Sequence, residues 1–250
     1  MAEQTGKQTV DVNEDDTDRI KWRFQDRKPE EYANPELNPY LKLHREMGFP
    51  VIVAEDAPSH KGTWATAFEG RAAPLHVEIG PGNGFYLAGM AQRRPEVNWL
   101  GIEIRFKRVV LCAKKIKSAG VSNARICRYD AWFLTDLFGR GEIGGLHTNH
   151  PDPWKKARHA KHRLMGEQFV AWAADALARG AHWRIKTDCS ENIQRVIDAS
   201  ASLPFEVVGR SNDVAREGPP WGVDDDVVTN YQTKFNKKSQ PIYALELKRV

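Results

Sequence analysis

The sequence predicts an α/β fold in which a mostly parallel sheet carries helices on both of its faces. Between residues 75 and 202, short apolar runs typical of buried strands alternate with longer segments of helical periodicity. Helices that connect strands in this way are typical of right-handed crossovers, which make neighbouring strands parallel. The unusual motifs of the chain follow directly after strands, where ligands bind in such sheets. We therefore expect a single ligand site at that edge of the sheet.

The predicted elements follow in order along a chain of 250 residues, a length for which one main domain is the natural expectation. The apolar runs predict seven strands, at residues 75–79, 98–104, 124–129, 145–149, 182–187, 205–208 and 243–248. Helical periodicity predicts helices at residues 85–93, 106–118, 131–138, 164–178 and 191–202.

The chain before the first strand divides into two parts. Residues 1–35 are polar, charged and poor in aliphatic side chains, so a mobile N-terminal tail is expected. Aromatic and aliphatic residues return between residues 38 and 53, which indicates a short segment packed on the main domain. Residues 36–250 are accordingly predicted to form a single domain.

Charge is unevenly distributed along the sequence. The chain has 37 Lys and Arg against 33 Asp and Glu, a formal net charge of +4. Residues 11–36 are rich in acids, whereas residues 105–117 and 155–163 are strongly basic. Such basic segments favour a polyanionic partner, most often a nucleic acid. The alternative interpretation is a pair of solvated helix faces.

Cysteine content and hydropathy bear on location. The three cysteines, Cys112, Cys127 and Cys189, are far apart and form no C-x-x-C pair, which indicates a reducing compartment. No apolar run is long enough to span a membrane, and the N-terminus has no signal-peptide pattern. The protein is expected to be cytoplasmic, without a membrane partner, and a monomer is favoured.

A glycine-rich turn follows the first predicted strand, in the sequence Glu78-Ile-Gly-Pro-Gly-Asn-Gly84. Glycines between a strand and a helix permit a tight turn and close approach of a ligand to the backbone. A dinucleotide fingerprint would need G-x-G-x-x-G, but its third glycine would fall on Phe85 or Leu87. The spacing thus excludes that fingerprint. The pattern E-x-G-x-G-x-G, with Glu78 inside the strand, instead resembles motif I of class I S-adenosylmethionine-dependent methyltransferases, and the alternative is an ordinary glycine-rich turn.

Acidic residues also end the second and third strands. Glu103 is placed to accept hydrogen bonds from ribose hydroxyls, and Asp130 with the Ala131 amide could bind an adenine edge. Each acid alone could instead be a helix N-cap. Acids at three successive strand ends, counting Glu78, favour a nucleoside-containing cofactor.

The fourth strand ends in a stiff, charged segment. Asp152 lies between Pro151 and Pro153, Trp154 follows, and a basic run continues to Arg163. The prolines fix φ and remove backbone donors, so this segment cannot continue the strand. Trp154 is expected to stack on a base or to pack in the core. The histidines of this region do not match a zinc site and are expected to be exposed or to contact phosphate: His147, His150, His159 and His162.

These motifs together resemble the bacterial tRNA (guanine-N7-)-methyltransferase family of the TrmB type. The resemblance runs from about residue 75 to the C-terminus through V-E-I-G-P-G-N-G, G-I-E-I, Y-D-A, H-P-D-P-W-K-K-A-R-H-A-K-H-R, K-T-D and T-K-F. It implies a Rossmann-like class I methyltransferase fold with a seven-stranded, mostly parallel sheet and an antiparallel C-terminal strand. It also implies S-adenosylmethionine as cofactor, tRNA as partner, and transfer of a methyl group to N7 of guanine 46 in the tRNA variable loop.

The resemblance assigns roles to particular residues. Asp152 is the catalytic candidate, and no metal is expected. Cofactor contacts are implied for Glu78, Gly80, Gly82, Gly84, Glu103, Asp130, Ala131 and Asp152. Contacts with the tRNA are implied for Lys156, Arg158, Asp188, Thr233, Lys234, Phe235 and Asn236.

The sequence departs from the family pattern at several positions. Asn236 replaces an acidic residue, residues 148–150 replace aromatic ones, and Asn83 replaces a bulkier apolar residue. The acidic run 224–226 lies near the segment expected to face RNA, which is unfavourable for binding phosphate. Two alternatives therefore stay open: methylation of another nucleic-acid position or a small molecule, and a non-catalytic RNA- or cofactor-binding subunit of the same fold.

Overall fold

The computed structural model describes residues 38–152 and 163–250, and these residues form an eight-stranded sheet with helices packed against it. The strands are β1 (Val51–Ile52), β2 (Leu75–Ile79), β3 (Asn98–Glu103), β4 (Ala124–Arg128), β5 (Ile143–Asn149), β6 (Leu177–Thr187), β7 (Phe205–Ser211) and β8 (Tyr243–Arg249). The α-helices are α1 (Pro39–Glu46), α2 (Phe85–Arg93), α3 (Phe106–Ala119), α4 (Glu167–Ala176), α5 (Ser190–Ser200), α6 (Val214–Glu217) and α7 (Asn230–Asn236). The predicted tail, residues 1–35, lies outside the described residues.

The strand order places one cleft at the centre of the sheet. The order is β1-β4-β3-β2-β5-β6-β8-β7, and β8 is antiparallel to both of its neighbours while the other pairs are parallel. The order reverses between β2 and β5, because successive strands are added on one side of β2 and then on the other. Ligands of open α/β sheets bind at such a switch point, beyond the carboxyl ends of the strands.

The core lies on both faces of the sheet because strand side chains alternate between them. Trp99 packs with α2 and α3 on one face, and its neighbour Leu100 packs on the other face with residues of α4. Both side chains are fully buried. Because strands β2 to β5 are covered on both sides, they are mostly apolar runs, which is why they could be predicted from the sequence.

The predicted fold class is confirmed, with several differences in the elements. The sheet has eight strands instead of seven because the two-residue β1 pairs with β4 at the edge. Strand β6 begins at Leu177, where the backbone leaves the α region and pairs with Ile143, so α4 ends earlier than predicted. Residues 131–138 form only a 3₁₀ turn at Leu134–Asp136 before the chain turns at Gly139 into β5. The polar helices α6 and α7 were not predicted.

No helix in the described part of the chain could cross a membrane; the longest, α3, has 14 residues.

Candidate functional site

A cavity of about 540 Å³ lies at the carboxyl ends of β2 to β5, beside the N-terminal end of α7. The strand ends supply acids and backbone to its wall, and residues 229–231 close it from the side of α7. Eight of the residues selected from the sequence line it: Glu78, Gly80, Gly82, Glu103, Asp130, Ala131, Asp152 and Lys234. The expectation that the motifs converge at one edge of the sheet is therefore met for these residues.

The glycine turn shapes one end of the cavity. Gly80 and Gly82 have φ of +71° and +57°, a region that L side chains rarely adopt, and a Cβ at either would meet no atom within 4 Å. These two glycines are thus needed for backbone conformation. Gly84 differs because it does not line the cavity, and a Cβ there would lie 2.5 Å from Cys112 Sγ. Gly84 instead allows α2 to pack closely on α3.

Glu78 is the deepest acid of the cavity. Its side chain is 1% exposed, and Oε1 accepts a 2.9 Å hydrogen bond from Asn149 Nδ2. Among the described residues, Oε2 has no hydrogen-bond partner. Burial raises the pKa of Glu78 to about 7. The Asn149 hydrogen bond, the charge of Lys186 and, more weakly, the Leu87 amide lower the pKa and so offset part of this rise. One buried acceptor of this carboxylate is thus left for a ligand.

Glu103 and Asp130 lie at the next two strand ends. Glu103 accepts hydrogen bonds from the amides of Gly82, at 3.2 Å, and Arg105, at 3.0 Å, and so fixes the glycine turn against β3. Asp130 accepts one from the Trp132 amide at 3.0 Å. Burial raises the pKa of both carboxyls. The alternative that these acids are helix N-caps is wrong for both. The N-cap of α3 is Arg105, and Asp130 lies in a turn in which its carbonyl accepts a hydrogen bond from the Phe133 amide.

The end of β5 brings Asp152 to the cavity through a strained residue. His150 has φ of +51°, its amide donates to Lys186 O at 2.7 Å, and its ring lies 3.0 Å from Thr229 Oγ1. Burial, with a smaller effect of Lys186, lowers its pKa to about 3, so the ring is neutral at physiological pH. Asp152 follows after Pro151 and is exposed at the mouth.

The prediction of exposed or phosphate-contacting histidines is wrong for His147, whereas His150 is half-buried and lines the cavity. His147 is buried, 3.1 Å from the His76 ring and 3.0 Å from the Tyr86 hydroxyl, and burial strongly lowers its pKa. Its ring packs against Trp99 with a centroid distance of 4.9 Å, so it lies on the face of the sheet that α2 and α3 cover. His159 and His162 lie outside the described residues. Within the described ranges, no group of three or more His, Cys, Asp or Glu could hold a metal ion.

The residues expected to contact RNA are only partly brought together. Lys156 and Arg158, together with Trp154, lie outside the described residues. Asp188 follows β6, is half-buried and does not line the cavity. The pKa of Tyr231 is raised first by burial, then by the charge of Asp188, and then by that of Asp152. Asp188 and Asp152 therefore both lie near that tyrosine.

In the T-K-F-N segment on α7, Lys234 alone lines the cavity. Thr233 Oγ1 donates to Thr229 O at 3.1 Å, inside the helix. Phe235 stacks on Tyr231 with a centroid distance of 4.7 Å, and Asn236 is exposed at the end of the helix. Thr233 and Phe235 are thus used at least partly to build α7 itself.

Several residues of the site were not found from the sequence. Asn149 orients Glu78, while Arg105, Arg108, Thr229 and Tyr231 line the cavity. Arg105 and Arg108 follow Glu103 closely, and this proximity could have marked them. Residues 229–231 carry no local signal, because their place depends on long-range contacts of α7.

The acidic run 224–226 is explained by ion pairs within the protein. Asp225 pairs with Arg94 and, at 3.7 Å, with Arg184. Asp226 is buried and pairs with Lys186 at 2.8 Å. Two of these three acids therefore hold the segment to the sheet, which removes most of the conflict with RNA binding.

A second cavity, of about 670 Å³, lies between the start of α4 and helix α5. Its lining includes Arg163, Glu191 and Arg195, and none of the strand-end acids. Since the motifs of the sequence meet elsewhere, the cavity at the switch point is the candidate site.

The sheet order and the acids at its strand ends define a class I methyltransferase fold. The solved structure of the 16S rRNA methyltransferase KamB is similar, with a TM-score of 0.55 over 74% of this chain and 92% of that one, at 12% identity. The structure of TrmN from Thermus thermophilus is similar with a TM-score of 0.50 over 77% of this chain and 49% of that one, at 16% identity. At these identities the likeness shows the fold alone.

The family follows from sequence comparison. The model of a family described as "Putative methyltransferase" matches residues 72–245. A tRNA (guanine-N(7)-)-methyltransferase of Bacillus velezensis is 34% identical over 197 residues, which are 78% of this chain and 88% of that protein. One of Listeria monocytogenes serotype 4b is 34% identical over 200 residues, covering 80% and 91%. The chain belongs to the tRNA (guanine-N(7)-)-methyltransferase family, as its motifs predicted.

Proposed function

We propose that this protein transfers a methyl group from S-adenosylmethionine to N7 of a guanine in tRNA, and that the target is guanine 46 of the variable loop. The observation that carries the proposal is the buried Glu78 carboxylate, whose Oε2 is unpartnered among the described residues and whose cavity is also lined by Glu103 and Asp130. Membership of the family supports the acceptor, and guanine 46 rests on the motif resemblance.

The chain's residues fit the proposed donor. Glu78 would accept a hydrogen bond from the ammonium group of its methionine part, Glu103 would bind the ribose hydroxyls, and Asp130 with the Ala131 amide would bind adenine. Gly80 and Gly82 let the ligand approach the backbone. When bound, S-adenosylmethionine supplies an electrophilic methyl group on its sulfonium.

On the acceptor side, positioning and electrostatics are the protein's tasks. Guanine N7 has an in-plane lone pair and no proton, so attack on the methyl group needs no general base. Asp152 at the mouth can accept hydrogen bonds from the guanine N1–H and N2–H and offset the positive charge that the base gains. Asp188 lies near the same place, and Lys234 reaches it from α7.

The basic residues Lys156 and Arg158 are proposed to contact the tRNA backbone, which positions the substrate without reading its sequence. Asn236 is proposed to contribute one carbonyl acceptor and one amide donor beside the base. The free cysteines and the proposed substrate agree with a cytoplasmic location, which stays a prediction.

The test is the identity of the methylated nucleoside. Unmodified tRNA is incubated with the protein and labelled S-adenosylmethionine, digested, and analysed by mass spectrometry. We expect 7-methylguanosine, and its loss when guanine 46 of the transcript is replaced by adenine. A different methylated nucleoside would support the alternative acceptor, and no incorporation into any tRNA would contradict the proposal.

A further inference from the structure

Lys186 is a fully buried cation at the carboxyl end of β6. A buried ammonium is unfavourable unless its charge is paired and its protons are satisfied. Nζ lies 2.8 and 3.0 Å from the two carboxylate oxygens of Asp226, 3.0 Å from Val227 O and 3.2 Å from Gln232 Oε1. It also lies 5.0 Å from the centroid of the Tyr86 ring. The ammonium is therefore fully coordinated.

These acceptors stand on both sides of the segment that closes the candidate site. Asp226 and Val227 precede Thr229, Asn230 and Tyr231, which line the cavity, and Gln232 follows them. One ammonium thus holds both ends of the segment 226–232. The carbonyl of Lys186 also accepts the His150 amide at 2.7 Å, so the same residue anchors the chain that leads to Asp152.

Lys186 is also linked to the deepest acid through adjacent strand ends. Lys186 on β6 pairs in register with Asn149 on β5, and Asn149 donates to Glu78 on β2. The positive charge of Lys186 lowers the pKa of Glu78, which burial raises, and it is the largest charge effect on that carboxyl. In the described part of the chain, the other titratable or charged groups that face Glu78 or Lys186 are Tyr86, Glu103, Cys112, His147, His150 and Asp226.

We propose that Lys186 is a positioning residue of the donor site: its ammonium holds the segment 226–232 over the cavity and acts electrostatically on Glu78. The inference deepens the proposed function and rests on it. Two consequences follow. Without the ammonium the segment opens more often, and Glu78 becomes ionised only at higher pH, so that it binds the ligand's ammonium group less well near neutrality.

The first measurement is binding of S-adenosylhomocysteine by calorimetry between about pH 5.5 and 8.5. In the wild type, affinity should rise with pH as Glu78 ionises. In Lys186→Met this rise should move to higher pH, with a dissociation constant at pH 7 increased by about tenfold. The matched control is Asp224→Asn, which alters an exposed acid just before the segment that does not contact Lys186, and whose pH profile should stay that of the wild type. A purely structural role of Lys186 would lower affinity without moving the profile.

The second measurement is hydrogen exchange of the amides of residues 227–232. Lys186→Met should accelerate their exchange by about tenfold, and Asp224→Asn should not. If Lys186→Met does not fold because Asp226 is left unpaired, the double variant Lys186→Met/Asp226→Asn removes the pair without a buried charge and takes its place.

The outcomes separate the claims. An unchanged pH profile in a binding-competent variant overturns the electrostatic role, and unchanged exchange overturns the holding role. A wild-type protein that does not bind S-adenosylhomocysteine at any pH contradicts the proposed function itself, and this inference with it.

Discussion

Asn149 Nδ2 donates a 2.9 Å hydrogen bond to Glu78 Oε1, while Oε2 of the same carboxylate has no hydrogen-bond partner among the described residues. The carboxylate is oriented by one neighbour and keeps one acceptor for a ligand. Its burial makes the ionised form costly in the absence of that ligand. The following predictions begin from this relationship.

Glu78→Gln should stabilise the ligand-free protein at alkaline pH. The pKa of Glu78 is about 7 in the fold, above its ordinary value of 4.5, so the fold favours the neutral acid. The stability given by the neutral form is fully present below about pH 4.5 and is lost as pH rises through 7. The neutral amide avoids this loss, so the variant should be more stable at pH 8 by up to about 3 kcal/mol.

Urea unfolding at pH 5 and pH 8 measures the difference, which should be much larger at pH 8. Glu96→Gln is the control, because Glu96 is exposed and its pKa is lowered by Arg94. Glu78→Gln should at the same time weaken binding of S-adenosylhomocysteine. An equal change in stability at both pH values would contradict the argument.

Glu103→Ala should weaken binding of S-adenosylhomocysteine by about 10- to 100-fold, the effect expected from losing hydrogen bonds to a charged group. The carboxylate also fixes the amides of Gly82 and Arg105, so part of the loss comes from a looser glycine turn. Calorimetry measures the affinity. Glu142→Gln, which alters an acid that accepts from the Gly139 amide away from the cavity, should leave it unchanged. Equal affinity of Glu103→Ala and the wild type would exclude a ribose contact.

Asp152→Ala should reduce the rate of methyl incorporation into tRNA by about 100-fold or more, while the protein still binds S-adenosylhomocysteine. The side chain is exposed at the mouth of the cavity, where it would act on the guanine as its charge develops. Labelled methyl transfer and calorimetry on the same preparation separate the two effects. Asp224→Ala, at an exposed acid, is the control. Full activity of Asp152→Ala would remove the positional role.

The sequence predicted those parts of the fold and site that depend on local pattern. Strands β2 to β5 are apolar runs buried on both faces, and Glu78, Glu103 and Asp130 end them, so their convergence followed from parallel topology. Helix α7 has a polar sequence, and its position depends on Lys186 and Asp226, which lie 40 residues apart in the chain. Periodicity carries no information on such a pair. Tyr231, which α7 brings to the cavity, could not be found for the same reason.

Gly84 shows the same limit, because the sequence groups it with Gly80 and Gly82 although its surroundings differ. A Cβ at Gly84 would lie 2.5 Å from Cys112 Sγ and 2.9 Å from Cys112 Cα, whereas one at Gly82 would meet no atom within 4 Å. Both residues have positive φ, so alanine at either should cost about 1–2 kcal/mol through the backbone. In Gly84→Ala the free energy of unfolding should fall by about 1–3 kcal/mol more, because the added methyl group overpacks the contact between α2 and α3.

Urea unfolding of Gly82→Ala and Gly84→Ala, measured side by side, tests this difference. Gly84→Ala/Cys112→Ala should recover only part of the loss, because the contact with the Cα of residue 112 stays. Binding of S-adenosylhomocysteine should be weakened more by Gly82→Ala, relative to its loss of stability, since the Gly82 amide donates to Glu103 inside the cavity. Equal losses of stability in the two single variants would show that backbone conformation alone makes Gly84 necessary, and that helix packing adds nothing.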